Sequence, residues 1–248
     1  MSQLIVDEVA LREPNLLMPG KKPVGPVKID YSHPIGRSVE GYWLPMPGKR
    51  NKYYEGNVNI VAIPESGSPS LVGSSNGLYY TNGVVGETAG QWVVPTPGVT
   101  GNGHSLFWCG MFTNGTSSQN QYMINHRHVA GNRLYIYYFS GNNAVTFYHG
   151  GGTQYLCGTN VEINKYQSAA MTAVKTSVSN QIGWTRYWNG KEDGVLTSND
   201  LAYMDKIKLS FNLFVDGGTY VVFHFNKELS AAETASLHAD PYQFLIPA

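Results

Sequence analysis

Side chains able to do chemistry are sparse in this chain, and their spacing argues against most of it. Cleaving a glycosidic bond takes two carboxyl groups, one donating a proton and the other acting as nucleophile or base. On a strand they would stand two residues apart, so that both share a face. None of the 17 acidic residues is so spaced. Glu192 and Asp193 are adjacent, hence on opposite faces, and read as turn residues; Asp205 is isolated. Gly73-Ser74-Ser75-Asn76-Gly77 has the Gly-x-Ser-x-Gly spacing of a nucleophile elbow. An elbow needs a strand before it and a helix after it. GlyLeuTyrTyrThr follows (Gly77 to Thr81), a strand-like run, so the segment reads as a turn. His126 and His128 would share a face of a strand and could ligate a metal, but no carboxylate or cysteine nearby completes the set, and no metal site is assigned. What remains is aromatic. Trp92, Tyr122, Tyr137, Tyr148, Trp184 and Trp188 could stack on the C–H faces of sugar rings, ringed by Asn, Asp or Arg. The same residues are favoured in strands for packing alone, so each taken singly reads as core or interface ahead of a sugar platform.

The elements that would position them are strands. Candidates are Gly41–Leu44, Asn57–Ala62, Gly77–Thr81, Gln91–Val94, Ser105–Thr113, Gln121–His126, Arg133–Ser140, Ala144–Tyr148, Ser168–Lys175, Thr185–Trp188, Lys206–Phe214 and Thr219–Asn226. Asn-Gly, Gly-Asn-Asn, Gly-Gly-Gly and Asp-Gly-Gly separate them, the pattern of a sandwich or jelly roll. Arg133–Ser140 is apolar on both faces, as in a strand that is sandwiched or offers aromatics to a partner. TyrTrpAsnGlyLys (Tyr187 to Lys191) predicts a strand entering a tight Asn-Gly turn. Ser230 and Glu233 have capping-box spacing, and Ala231–His238 reads as one short helix stopped by Pro241.

Composition fits that reading. A chain of 248 residues is ordinary for one all-β domain. Its formal net charge is zero, with no basic run to suggest nucleic acid. No apolar stretch approaches the roughly 20 residues that span a bilayer. The N-terminal run has no basic start and carries acids, so it does not read as a secretory signal. Cys109 and Cys157 read as reduced core thiols, and Asn114-Gly115-Thr116 as a turn.

Seven of the 13 prolines precede Gly48. Pro14, Pro19, Pro23 and Pro26 exclude a helix, and residues 1–38 read as an extended arm ahead of a sandwich over 39–248. Leu4, Ile5, Val6, Leu16, Leu17, Met18, Val27 and Ile29 are its candidate anchors, against a neighbouring subunit or against its own domain.

The order of segments carries a resemblance. SerLeuPheTrpCysGlyMetPhe (Ser105 to Phe112), the strands around Tyr135, AlaAlaMetThrAlaVal (Ala169 to Val174), ArgTyrTrpAsnGly (Arg186 to Gly190) and a last strand and helix closing on Leu-Ser-x-x-Glu (Leu229 to Glu233) follow the order of LamG-like, concanavalin A-type jelly rolls. The match covers about residues 75 to 240 and weakens over 49–104. The stretch from Glu13 to Leu44 and the tail from His238 to Ala248 resemble LamG-like proteins of tailed bacteriophages and prophages. The fold so implied is a two-sheet jelly-roll sandwich with an N-terminal arm and one short C-terminal helix.

The function so implied is a virion structural protein, a capsid decoration or head-fibre subunit docked through its arm. Its expected partners are the major capsid protein or another virion protein and further copies of itself, with a trimer favoured by family analogy. Its expected place is the virion, after synthesis in the bacterial host cytoplasm. The alternative is a carbohydrate-binding adhesin of a tail fibre or head surface. Jelly-roll glucanases carry Glu-x-Asp-x-x-Glu or Glu-x-Asp-x-Glu on one strand; neither run occurs here, so an enzyme is not expected. LamG-like domains often hold calcium through loop carboxylates, and Asp193, Asp200, Asp205 and Asp216 lie in or beside loops, though without the Asp-x-Asn-x-Asp-Gly pattern.

Overall fold

The computed structural model describes residues 27–43, 52–55, 58–61, 63–66, 71–74, 77–80, 91–95, 103–112, 121–127, 133–139, 144–149, 153–159, 161–163, 165–178, 181–198, 208–212 and 217–247. They form an all-β jelly-roll sandwich of two large antiparallel sheets with one short helix.

The ten-stranded sheet runs in the order β16 (Lys191–Ser198), β15 (Ile182–Trp188), β14 (Tyr166–Lys175), β9 (Gly103–Phe112), β18 (Gly217–Phe225), β2 (Val39–Trp43), β3 (Lys52–Glu55) and β4 (Val58–Val61). A hairpin of β6 (Leu71–Ser74) and β7 (Gly77–Tyr80) joins it along the start of β18. The seven-stranded sheet runs β13 (Thr153–Thr159), β12 (Ala144–His149), β11 (Arg133–Phe139), β10 (Gln121–Arg127), β17 (Lys208–Asn212), β8 (Gln91–Pro95) and β5 (Ile63–Ser66). In the Gly-x-Ser-x-Gly segment Ser74 of β6 is paired with Gly77 of β7, so a strand stands where an elbow needs a helix.

The ten-stranded sheet is covered on both faces at its centre, and β9 and β14 show why. Ser168 to Ala173 is buried without a break. Leu106, Trp108 and Phe112 alternate with Phe107 and Cys109, and all five are closed to solvent. A strand apolar at both parities has two packed sides. The side of Phe107 and Cys109 belongs to a buried cluster with Phe223, Phe225, Leu229, Leu237, Tyr242, Phe244, Leu245, Ile29, Ile35 and Val39. That cover comes from the two ends of the described chain. Phe244 meets Phe223 with ring centroids 4.9 Å apart.

The helix α1 (Ala231–Ala239) begins as expected. Ser230 Oγ accepts from the Glu233 N–H (3.2 Å), and Glu233 Oε2 accepts from the Ser230 N–H (3.0 Å). Lys227 pairs with Glu233, and Ser105 Oγ donates to the Lys227 carbonyl (2.7 Å) while accepting from the Leu229 N–H (3.0 Å). These bonds fix the approach to the helix on β9.

The segment read as an arm is partly structural. β1 (Val27–Ile29) pairs antiparallel with β19 (Leu245–Pro247), with Val27 opposite Pro247 and Ile29 opposite Leu245. Ile29, Ile35, Gly36 and Ser38 are buried. Ile29 is therefore a core residue of its own domain and not a surface anchor for a neighbour, because the C-terminal segment needs that apolar cover. Leu4, Ile5, Val6, Leu16, Leu17 and Met18 lie outside the described residues.

The Asn-Gly turn is also a docking point. Asn189 and Gly190 both have positive φ (49° and 75°), the type I′ pattern that matches strand twist. Asn189 Oδ1 accepts from the Ser168 N–H (3.0 Å), and the Asn189 N–H donates to the Ser168 carbonyl (2.9 Å). A Cβ on Gly190 would lie 2.9 Å from His238 Cβ and 3.0 Å from Ala235 Cα of α1. Gly190→Ala is expected to destabilise by about 2–4 kcal/mol, from left-handed backbone plus overpacking. An unchanged urea midpoint would show that the turn does not seat the helix.

A candidate binding face on the seven-stranded sheet

Strand register decides which of the aromatic candidates can act together. Tyr122 of β10 is paired with Tyr137 of β11, and Tyr135 of β11 with Tyr148 of β12. Positions 135 and 137 share a face because the strand period is two. Three sequence-predicted residues, Tyr122, Tyr137 and Tyr148, thus fall on one face of the sheet, together with Tyr135. Asn125 is paired with Tyr135, Gln154 with Tyr148, and Thr146 with Tyr137, so amide and hydroxyl positions lie among the aromatic ones. Adjacent strands are about 4.8 Å apart, and a two-residue step along a strand is roughly 6.8 Å. The four tyrosine positions therefore occupy a patch three strands wide and two rows deep.

The opposite face carries Ile136, Val145 and Phe147, all closed to solvent. Ala144 and Thr146, on the tyrosine face and paired with Phe139 and Tyr137, are closed too. Thr146 Oγ1 has no hydrogen-bond partner among the described residues.

Trp92 does not join the patch. Asn125 is paired with Ser210 of β17, and the next residue, Phe211, is paired with Trp92 of β8. This places position 92 on the face of Ile136 and Phe147. Trp184 is excluded for a different reason. It is 1% exposed and meets the His104 ring edge-on at 6.1 Å, so it is core and no sugar ring can reach it. Trp188 is half-buried at the end of β15, paired with Lys191 on the other large sheet. Type alone could not separate these six aromatics; pairing register and burial do.

Other chemistry-bearing groups lie inside. His104 and His224 are both 1% exposed, with ring centroids 6.0 Å apart. Burial holds their imidazoles down, His104 to about 3, aided by His224, and His224 to about 4. Glu40 Oε2 stands 3.5 Å from His224 Nδ1, a contact that favours the charged ring; the loss of solvation outweighs it. Ser168 Oγ lies 2.9 Å from His238 Nδ1, the spacing of a nucleophile and its base. Ser168 is 1% exposed beneath α1, so no substrate reaches it, and burial lowers the affinity of His238 for a proton. Cys109 is a buried thiol beside Tyr166. Among the described residues no group of three His, Cys, Asp or Glu is placed to hold a metal; His126 is described, whereas His128, Asp200, Asp205 and Asp216 lie outside the described residues. Glu192 and Asp193, expected in a turn, belong to the edge strand β16, where charge is tolerated because one side of the strand is unpaired among the described strands.

Comparison with known proteins bears on the fold. No protein-family model matches the sequence, and no curated protein matches it. Solved structures do match. A Trypanosoma rangeli sialidase in complex with sialic acid aligns over 98% of this chain and 39% of its own, at 15% identity and a TM-score of 0.59. The binding domain of botulinum neurotoxin DC in complex with rat synaptotagmin II aligns over 82% of this chain and 52% of its own, at 14% identity and a TM-score of 0.60. A structure of botulinum neurotoxin type C, described as dependent for cell entry on two ganglioside molecules, aligns over 82% and 51%, at 14% identity and 0.57. The chain thus spans about half or less of the length of each. At such identities the likeness is one of fold, a β-sandwich shared with parts of these larger proteins.

Proposed function

We propose that this chain is a glycan-binding sandwich that recognises sugar through the tyrosine face of its seven-stranded sheet and performs no catalysis there. The observation that carries this reading is the register that gathers Tyr122, Tyr135, Tyr137 and Tyr148 on one face with Asn125 and Gln154. Aromatic faces set beside amide groups suit a ligand with apolar C–H faces and a hydroxyl rim. The sheet offers one carboxylate on its strands, Glu65 of β5, where hydrolysis would need two facing a common point. Support of a weaker kind comes from the fold, which is shared with a sialidase solved with sialic acid and a toxin described as interacting with gangliosides.

The test is a glycan array probed with the full chain, its Tyr137→Ala variant and its Tyr122→Ala/Tyr148→Ala variant. Binding by the full chain with at least a tenfold loss in each variant is expected, about 1.4 kcal/mol or more per substitution set. Retention of affinity in both variants, or no binding to any glycan, overturns the reading.

The bacteriophage setting is a second proposal, resting on the resemblance of the two ends of the sequence. In it the sandwich decorates a capsid or forms part of a head fibre or tail fibre, and residues ahead of Val27 dock on a capsid protein or on further copies of the chain, a trimer favoured. Such a placement is compatible with glycan binding by the seven-stranded sheet.

A further inference from the structure

The seven-stranded sheet carries a row of cationic positions beside the tyrosine patch. Arg127, the last residue of β10, is paired directly with Arg133, the first of β11. Two residues back along each strand stand Asn125 and Tyr135, so the arginine pair lies on the same face as the tyrosines, one row on. The register of β17, with Asn125 opposite Ser210, carried on by two residues puts Lys208 beside Arg127 on that face. Three cationic positions thus follow one another across three neighbouring strands, at roughly 4.8 Å spacing.

Like charges directly opposite on a sheet face repel. Nothing on this sheet's strands offsets them. Its seven strands carry one acidic residue, Glu65, beside a register break where Pro64 and Ser66 pair with Trp92 and Gln91, whereas Lys208 is paired with Pro95 at the other end of β8. The chain as a whole is neutral, so this is a local concentration of charge and not an excess of basic residues. A face that sets a cationic row beside two aromatic rows fits a polymer that carries anionic groups beside apolar ring faces.

We infer that the ligand of this face is an anionic glycan, its carboxylate or sulfate groups held by Arg127 and Arg133, with Lys208 flanking, and its rings lying over the tyrosine rows. The inference rests on the glycan-binding reading above and narrows its ligand class. A carboxylate and a sulfate present the same charge to the guanidinium pair, and separate probes distinguish them.

The experiment measures affinity of the full chain for polygalacturonate, for dextran sulfate, for a neutral set of dextran, mannan and xylan, and for a single-stranded oligonucleotide, each at 50 mM and 300 mM NaCl. The comparison variants are Arg127→Gln/Arg133→Gln and Tyr137→Ala, each checked for a native near-UV spectrum and melting temperature. Binding of one or both acidic polymers is expected, weakened by salt, with a tenfold or greater loss in Arg127→Gln/Arg133→Gln and a flatter salt dependence. Arg127→Lys/Arg133→Lys should restore part of the affinity. Binding of neutral polymers that Tyr137→Ala abolishes and the arginine variant leaves intact would overturn the anionic class and leave glycan binding standing. Binding of the oligonucleotide alone, or of no polymer, would overturn both. Should the arginine variant lose its native spectrum, a charge-screening titration of the unmodified chain decides: affinity for the acidic polymers independent of salt overturns the inference.

Discussion

A chain beginning at Val39 is expected to unfold at a far lower denaturant concentration than one beginning at Val27. The difference is the segment 27–38, and its contributions are specific. Ile29 and Ile35 are buried, and each such side chain stabilises by about 1.5–3 kcal/mol. The Asp30 N–H donates to the Phe244 carbonyl (2.8 Å), and the Ser38 carbonyl accepts from the Asn226 N–H (2.9 Å). Removing the segment also uncovers Leu245, paired with Ile29, and Phe244, which tilts against His33 at 5.8 Å. A loss approaching the whole net stability of a domain, on the order of 5–15 kcal/mol, follows. Urea titrations of the two truncated chains, followed by near-UV circular dichroism, check this. Equal midpoints would show that residues 27–38 merely lie on a sandwich complete without them. Any assembly assay of the N-terminal segment should for the same reason truncate ahead of Val27.

Acid should loosen the fold before its carboxylates titrate. His104 and His224 are neutral in the folded chain, held down to about 3 and about 4, while an unfolded chain titrates them near 6.5. Between these limits the unfolded state binds more protons, so stability is full above about pH 6.5 and falls as pH drops towards 4. Each histidine contributes a slope of about 1.4 kcal/mol per pH unit, and the pair nearly 3. His238, also lowered by burial, adds in the same direction; Asp240, raised by burial, opposes. Asp30 and Glu233 have lowered carboxyls, which protonate only below the ordinary carboxylate range. The window from pH 6.5 to 4.5 lies between the ordinary histidine value and the lowered values of the buried pair. Unfolding free energies across it should fall steeply for the native chain and much less for His104→Gln/His224→Gln. The same slope in both would mean that the buried pair is not the cause.

The strands with regular alternation and clear turns were legible in the sequence. Arg133–Ser140 and Thr219–Asn226 appear as β11 and β18 within a residue or two at their ends, and the Ser230–Glu233 box starts the helix as read. Seven strands, β1, β3, β5, β6, β13, β16 and β19, were absent from that reading, and three of them show a physical reason. Lys191 to Ser198 opens with Lys-Glu-Asp-Gly, residues depleted in strands, yet an edge position accepts them. Gly194 there leaves room for Arg186, whose Nη2 would lie 2.2 Å from an added Cβ. β1 and β19 adjoin or contain prolines, and only their mutual pairing makes them strands. The candidate face was half legible. Aromatic type marked Tyr122, Tyr137 and Tyr148, but Trp92 and Trp184 looked the same. Arg127 and Arg133 have five residues between them in the sequence, and only the hairpin register makes them neighbours.

The ladder that closes the described fold also sets how it would respond to force. β1 enters at Val27 and β19 leaves at Pro247, and these two residues face each other at the same end of a three-pair antiparallel ribbon. Tension applied to the chain at Val27 and Pro247 would load that ribbon as a zipper, one pair at a time, and not in shear across all three at once. The pair that takes the load first contains a proline, which has no N–H to donate. The two chain ends would peel apart at low force, uncovering Phe244 and Ile29 while the large sheets stay intact. A sandwich held at both ends would thus yield at its cover before its core.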